Sequence, residues 1–218
     1  MSDGFFDDEL WMYRHARANL EQHDHRFFGG RLDEPVGLPV FVVASGPSVD
    51  GAIDFIRANR DRALVLSAGT GLGVLLKSGI KPDFHCEIEN RPIVYEAILS
   101  HLEQGDFTGI RLIASPTIDP RIAAEFDEVI FANRDSVTSS TLFADPDEVL
   151  QSAGPTITNY ACRIALGFGA TEVVLFGVDL GAVTPDKHHS AASVYMNAED
   201  AHWQSGLGML DLNIEVPG

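Results

Sequence analysis

The apolar positions of this chain fall into short runs separated by stretches of helical spacing. VFVVAS (40–45), ALVLSA (63–68), FHCEIE (84–89), IRLIAS (110–115), EVIFAN (128–133) and EVVLFG (172–177) are strand-sized and rich in β-branched and aromatic residues. Between them, apolar residues recur at three- and four-residue intervals over 50–59, 71–78, 92–103, 120–126 and 155–167, which predicts helices, the last with Pro155 at its start. An earlier helix is predicted over 7–22 from Leu10, Tyr13, Ala16 and Leu20, with Asp7 and Asp8 at its N-cap and Gly29 and Gly30 after it. Residues 32–38, with Pro35, Gly37 and then Pro39, read as an extended connector. The stretch 136–154 has no clear period and is expected to be a mobile loop or small cap.

Buried strands joined by helical crossovers imply an α/β fold: a Rossmann-like, doubly wound, mostly parallel sheet with helices on both faces. The organisation expected is a helical lead and connector over 1–38, which packs on the domain, and one Rossmann-like domain over 39–218. In such a sheet, ligands bind outside the carboxyl ends of the strands. The tail LDLNIEVPG looks strand-like and stops without a cap.

Composition narrows the function classes. With 15 Lys+Arg against 32 Asp+Glu, the formal net charge is −17, which argues against a duplex nucleic-acid binder or an anionic-membrane binder. No apolar run approaches the ~20 residues that span a bilayer, and MSDGFFDDEL lacks the features of a secretory signal. Cys86 and Cys162 lie in apolar segments, fitting buried thiols in a reducing compartment, so a cytoplasmic location is expected. The acidic stretch 119–148 reads as a solvated face.

Candidate chemistry gathers at the strand tips. Ser45-Gly46-Pro47-Ser48 follows the first strand of the domain; it fits either a phosphate-binding turn or a plain strand-to-helix turn with Ser48 as N-cap. It is neither the G-x-G-x-x-G fingerprint nor a P-loop. Gly69-Thr70, Glu87-Ile88-Glu89-Asn90, Ser115-Pro116-Thr117 and Asp179 end the other strands on the same rim, each alone explicable as loop chemistry. His188-His189-Ser190 follows, with Asp186 and Tyr195 near, and suits proton transfer, metal binding or a plain surface. No i,i+4 histidine pair or cysteine cluster supports a structural metal there. His23-Asp24-His25 reads as solvated surface.

Together FVVASGPSVD, LLKSGIKPDFHCEIEN, GPTITNYACRIALGFGATEVVLFGVDLG and HHSAASVY resemble the motility-associated factor (Maf) flagellin glycosyltransferases over roughly 40–195. Their central domain belongs to the MptE-like (6-hydroxymethylpterin pyrophosphokinase-like) family and is similar to bacterial sialyltransferases. The resemblance implies transfer of a nonulosonic, sialic-acid-like sugar from a CMP-activated donor to Ser/Thr of a protein such as flagellin. It implies donor contacts from Ser45, Gly46, Pro47, Ser48, Gly69, Thr70, Glu87, Glu89, Asn90, Thr156, Thr158, Asn159 and Asp179. His189 is the expected base with His188 as substitute; Tyr195 or the 46–48 amides are expected to stabilise the phosphate, without a metal or other cofactor. Pterin pyrophosphokinases of the same family resemble the chain at G-P-S and Pro82-Asp83, but their Asp-Leu-Asp-Gly tip is Glu87-Ile88-Glu89-Asn90 here. They supply an alternative expectation, a kinase using ATP and magnesium; a non-catalytic nucleotide-binding module is a third. The family's domain usually continues past a Pro-Gly such as Pro217-Gly218, so a truncated or minimal version is expected.

Overall fold

A computed structural model describes residues 5–22, 26–103, 105–135, 137–182, 184 and 187–196. The helical lead is α1 (Phe5–Gln22), and β1 (Arg26–Phe27) follows it. Then come β2 (Val40–Val43), α2 (Ile53–Ala58), β3 (Leu64–Ala68), α3 (Gly71–Lys77), β4 (Phe84–Glu87), α4 (Pro92–Leu102), β5 (Arg111–Ala114), α5 (Pro120–Ala123) and β6 (Glu128–Phe131). The chain closes through β7 (Asn133–Arg134), α6 (Thr138–Phe143), β8 (Val149–Leu150), α7 (Ile157–Gly167) and β9 (Val173–Phe176).

Seven strands form one parallel sheet in the order β1-β6-β5-β4-β3-β2-β9. The six apolar runs are all strands of it, as their composition requires. Successive strands step outward from β2 to β6, then the chain crosses back to β9 on the other side of β2, so the order reverses between β2 and β9. A doubly wound sheet opens its ligand crevice at such a reversal.

Strand residues point alternately to the two faces. Val40, Val42, Leu66, Phe84, Cys86 and Ile113 pack under α7 with Tyr160, Ala161, Ile164 and Phe168. Phe41, Val43 and Val65 pack under α2 and α3, and Leu112 and Ala114 under α3, α4 and α5. The core is therefore two apolar layers, one on each face of the sheet. A cavity of 570 Å³ lined by Phe27, Phe28, Leu32, Phe84, Ile113 and Phe168, among others, lies toward the amino ends of the strands. That is the end opposite the expected ligand rim.

Three expectations are corrected. The two-residue β1 extends the sheet beside β6, too short to leave a periodic signal. Of the two alternatives for 136–154, the loop is corrected: the stretch carries α6, a 3-10 turn over Pro146–Glu148 and β8, which pairs in parallel with β7. Helix α1 begins at Phe5, so Asp7 and Asp8 lie within its first turn and not at its cap. Its buried face only partly follows the apolar stripe: Ala16 is buried and Leu20 half-buried, but Leu10 and Tyr13 are exposed and the polar His15 and Asn19 are buried. Asn19 Nδ2 donates to the carbonyls of Pro116 and Ile118 at 2.8 and 2.9 Å, laying α1 across the loop that leaves β5.

Among the described residues no helix is long and apolar enough to cross a membrane. Cys86 and Cys162 are free, and burial pushes both thiols up. His23, Asp24, His25, Asp186 and the tail LDLNIEVPG lie outside the described residues.

Candidate functional site

The site builds from the turn after β2. The Gly46 N–H donates to the Gly177 carbonyl at 2.8 Å, and the Ser48 N–H donates to the Asp179 carboxylate at 2.9 Å. Gly46 has no room for a side chain: a Cβ there would lie 2.5 Å from the Gly177 oxygen and closer still to the Asp179 carboxylate. Gly177, at φ +65°, turns the chain after β9 back toward this point, a conformation glycine adopts without strain. The expectation of Ser48 as the cap needs correction, and the amides of the turn have partners within the chain. The Gly46 and Ser48 amides are closed by β9 and the loop after it, Pro47 has no N–H, and the cap of the 3-10 turn Pro47–Gly51 is Gly46 without a side-chain bond, not Ser48.

The tip of β3 adjoins this turn. Ser45 Oγ and Thr70 Oγ1 share a hydrogen bond of 2.7 Å. The Ile157 side chain lies 3.6 Å from where a Gly69 Cβ would stand, which brings the start of α7 beside the same tip. Pro155 precedes that start; the N-cap is Thr156. Thr156 and Asn159 form a capping box, with the Asn159 N–H on Thr156 Oγ1 at 3.4 Å and the Thr156 N–H on Asn159 Oδ1 at 3.3 Å. Thr158 Oγ1 bonds Thr156 Oγ1 at 2.7 Å. These three residues therefore order a helix terminus at the rim.

At the tip of β4, Glu87 turns inward. Its Oε1 accepts the N–H groups of Ile88 and Glu89 at 2.8 and 3.0 Å. Burial, with the Glu89 charge adding to it, pushes Glu87 up to about 7, although the two amides favour the carboxylate. Its Oε2 lies 3.8 Å from His85 Nε2, but burial holds His85 down to about 3, so both partners are uncharged over part of the acid range and the contact is no lasting ion pair. Glu89 is exposed, and Asn90 donates to the Asp8 carbonyl at 3.3 Å, tying this loop to α1.

The histidine loop folds back onto the first turn. The Ser190 N–H donates to the Ser45 carbonyl at 2.7 Å. The Ser190 hydroxyl donates to Asp50, whose other oxygen accepts the Ala191 N–H at 3.1 Å. His189 is half-buried, with its ring 4.5 Å from that of Tyr195 and 4.9 Å from that of His188. Burial, then the neighbouring His188, lowers His189 below the usual histidine range. Burial raises the Tyr195 phenol, and Glu87 and Glu89 raise it further, which places the β4 tip within electrostatic reach of this ring.

The structure thus collects Ser45, Gly46, Ser48, Thr70, Glu87, Asp179, His189 and Tyr195 around the carboxyl ends of β2, β3, β4 and β9. Sequence reasoning missed Asp50, because 140 residues separate it from Ser190 and no local pattern marks the pair. It also missed Lys77, which donates to the Ala192 carbonyl at 2.9 Å.

Among the described residues no three His, Cys, Asp or Glu side chains are grouped to hold a metal ion. The expectation of a metal-free site took the chain to lack an Asp-x-Asp motif, and this is corrected: Asp145-Pro146-Asp147 has that spelling and sits at the exposed 3-10 turn before β8. Three of the rim carboxylates are engaged within the chain, Asp179 by Ser48, Asp50 by Ser190 and Ala191, and Glu87 by its own loop, which leaves the exposed Glu89 as a lone acid at the β4 tip and no grouped set for magnesium among the described residues.

A parallel sheet with helices on both faces and a polar rim at its strand-order reversal defines a doubly wound α/β protein of the kind that binds ligands over its strand tips. More narrowly, the chain belongs to the 6-hydroxymethylpterin diphosphokinase MptE-like family, whose model matches residues 14–184. It is similar to the solved structure of the MAf glycosyltransferase from Magnetospirillum magneticum AMB-1, with 38% sequence identity and a TM-score of 0.77. That match covers 85% of this chain and 29% of the other, so the chain spans less than a third of its neighbour's length. Among curated proteins, none matches.

Proposed function

We propose that this chain is the donor-binding domain of a glycosyltransferase that moves a nonulosonic sugar from a CMP-activated donor to a Ser/Thr hydroxyl of a protein such as flagellin. The observation that carries the reading is His189, kept neutral by burial on a loop anchored to the turn after β2, with Tyr195 against its ring. A 38% identical neighbour that is a MAf glycosyltransferase supports the same class.

In this reading the acceptor oxygen attacks the anomeric carbon as His189 takes its proton. The carbon–oxygen bond to the phosphate breaks, and CMP leaves with the bonding electrons. A neutral imidazole is the form able to accept that proton. The Tyr195 phenol, raised by burial, keeps its proton at neutral pH and donates toward the departing phosphate. Because the Gly46 and Ser48 amides are engaged elsewhere, this role falls to Tyr195. Glu89, exposed at the β4 tip, is placed to contact the donor's sugar or base, and Thr70, Thr158 and Asn159 line the same rim while bonded to neighbouring side chains.

The family description favours a second reading, a pterin diphosphokinase using ATP and magnesium. Calorimetric titration of the chain with CMP and with ATP, each with and without magnesium, separates the two. Magnesium-independent CMP binding is expected. Binding of ATP only when magnesium is present would replace the glycosyltransferase reading, and binding of neither would leave a non-catalytic module.

A further inference from the structure

We propose that Asp50 is the positioning residue for His189 and acts through Ser190. The inference rests on the reading of His189 as the base, and it concerns a contact that no sequence pattern marks. Asp50 lies in the 3-10 turn Pro47–Gly51, which follows β2. Its two carboxylate oxygens accept the Ser190 hydroxyl and the Ala191 N–H, so one side chain grips two consecutive residues of that loop.

The grip is part of a wider clamp. The fully buried Ser190 gives its N–H to the Ser45 carbonyl, and its Oγ accepts the Ala192 N–H at 3.2 Å. Lys77 holds the Ala192 carbonyl from α3, and Ser193 N–H returns to the Ser190 carbonyl at 2.9 Å. Val194 is buried against Ala97 of α4, with Tyr195 packed beside it. His189 immediately precedes this fixed segment, and its Nδ1 is enclosed without a hydrogen-bond partner among the described residues. The ring's orientation therefore depends on where Ser190 is held and on the face of Tyr195. Ser190 donates to Asp50 and accepts from Ala192, so its hydroxyl anchors the loop and is not a contact for the donor.

A carboxylate suits this position because it accepts two donors at once. An amide offers one accepting oxygen, and alanine offers none. The groups around His189 are the His188 ring and the Tyr195 phenol, with Glu87 and Glu89 beyond the phenol. Asp50 bonds Ser190 and Ala191, so loss of its carboxylate reaches His189 through the loop.

The test compares Asp50→Ala, Asp50→Asn, Asp50→Glu and Ser190→Ala with the parent chain. Titration of ring-labelled histidine by NMR is followed at His189, with His15, also lowered by burial but bonded to the Thr117 carbonyl, as the internal control. Hydrolysis of CMP-N-acetylneuraminate supplies kcat and KM. Expected for Asp50→Ala and Ser190→Ala are an upward move of the His189 midpoint with His15 unchanged, a kcat loss of at least tenfold, and a donor KM within twofold. Asp50→Asn should fall between, and Asp50→Glu should recover part of kcat. An unmoved His189 midpoint in Asp50→Ala, or a moved one in Asp50→Ala without the same move in Ser190→Ala, overturns the proposal. If Asp50→Ala does not fold, Asp50→Asn and Ser190→Ala decide by the same criteria. Absence of hydrolysis in the parent chain counts against the transferase reading, while the NMR arm still decides whether Asp50 sets His189.

Discussion

The carboxylate of Asp179 accepts the Ser48 N–H at 2.9 Å and so joins the loop after β9 to the turn after β2 across 131 residues of chain. Gly46 stands between them, with no space for a side chain. The strand-order reversal, where a doubly wound sheet opens its crevice, is thus also where the two halves of the chain are stitched together.

From that contact, Gly46→Ala is expected to destabilise the fold by about 1–3 kcal/mol, because its methyl group must displace the Gly177 carbonyl or the Asp179 carboxylate. Asp179→Ala, at an exposed hydrogen bond, should lose only ~1 kcal/mol. Urea unfolding measures both. A Gly46→Ala variant as stable as the parent would mean that the turn relaxes freely.

Burial and His188 lower His189, so its base form persists below the ordinary histidine range. The acid limb of kcat/KM for donor hydrolysis, which reports the ligand-free protein, should accordingly lie below pH ~6.5. His189→Ala should reduce kcat by about 10²–10⁴-fold, the span usual for a general base. A limb at or above 6.5, or full activity in His189→Ala, moves the proton to another group.

Buried His85 and His101 are held down to about 3 and about 4, mainly by desolvation. The unfolded chain protonates both near 6.5 while the fold does not, so stability is lost as pH falls below 6.5. Each contributes up to about 1.4 kcal/mol per pH unit. Glu87 acts in the opposite sense. Raised to about 7, it takes up its proton in the fold before the unfolded chain does, and so it adds stability as pH falls from 7 toward 4.5. Glu87→Gln should therefore make the acid loss of stability steeper between pH 6.5 and 4.5, measured by urea midpoints across that range. An unchanged slope would mean that Glu87 is ionised in the fold at neutral pH.

Asn19 donates to two carbonyls in the loop leaving β5, and it is fully buried. Asn19→Ala leaves both carbonyls without that donor and should destabilise by about 1–3 kcal/mol. Hydrogen exchange should show the loss first in α1. Protection unchanged in α1 would mean that packing alone holds this helix.

The sequence by itself determined six strands, the helices between them and the parallel, doubly wound class, because each signal is local: a run of β-branched residues, or an apolar residue every three to four positions; it did not show that β9 is an edge strand, half-buried with Leu175 exposed. It also placed Gly46, Glu87 and Asp179 on one rim, since strand tips share an edge once the sheet is parallel; Thr156 entered through the family resemblance and His189 as part of the loop after the last strand. What those residues do there was decided by tertiary structure. Ser48 and Asp179, like Asp50 and Ser190, are more than 130 residues apart, and only the return of the chain to β9 brings each pair within hydrogen-bond distance. Part of the buried face of α1 was likewise outside the reach of periodicity, because His15 and Asn19 are polar and become core residues only when the carbonyls after β5 are there to receive them. A hydrogen bond needs both partners in place. Sequence patterning reports the element that carries each partner, and the fold alone sets the distance between them.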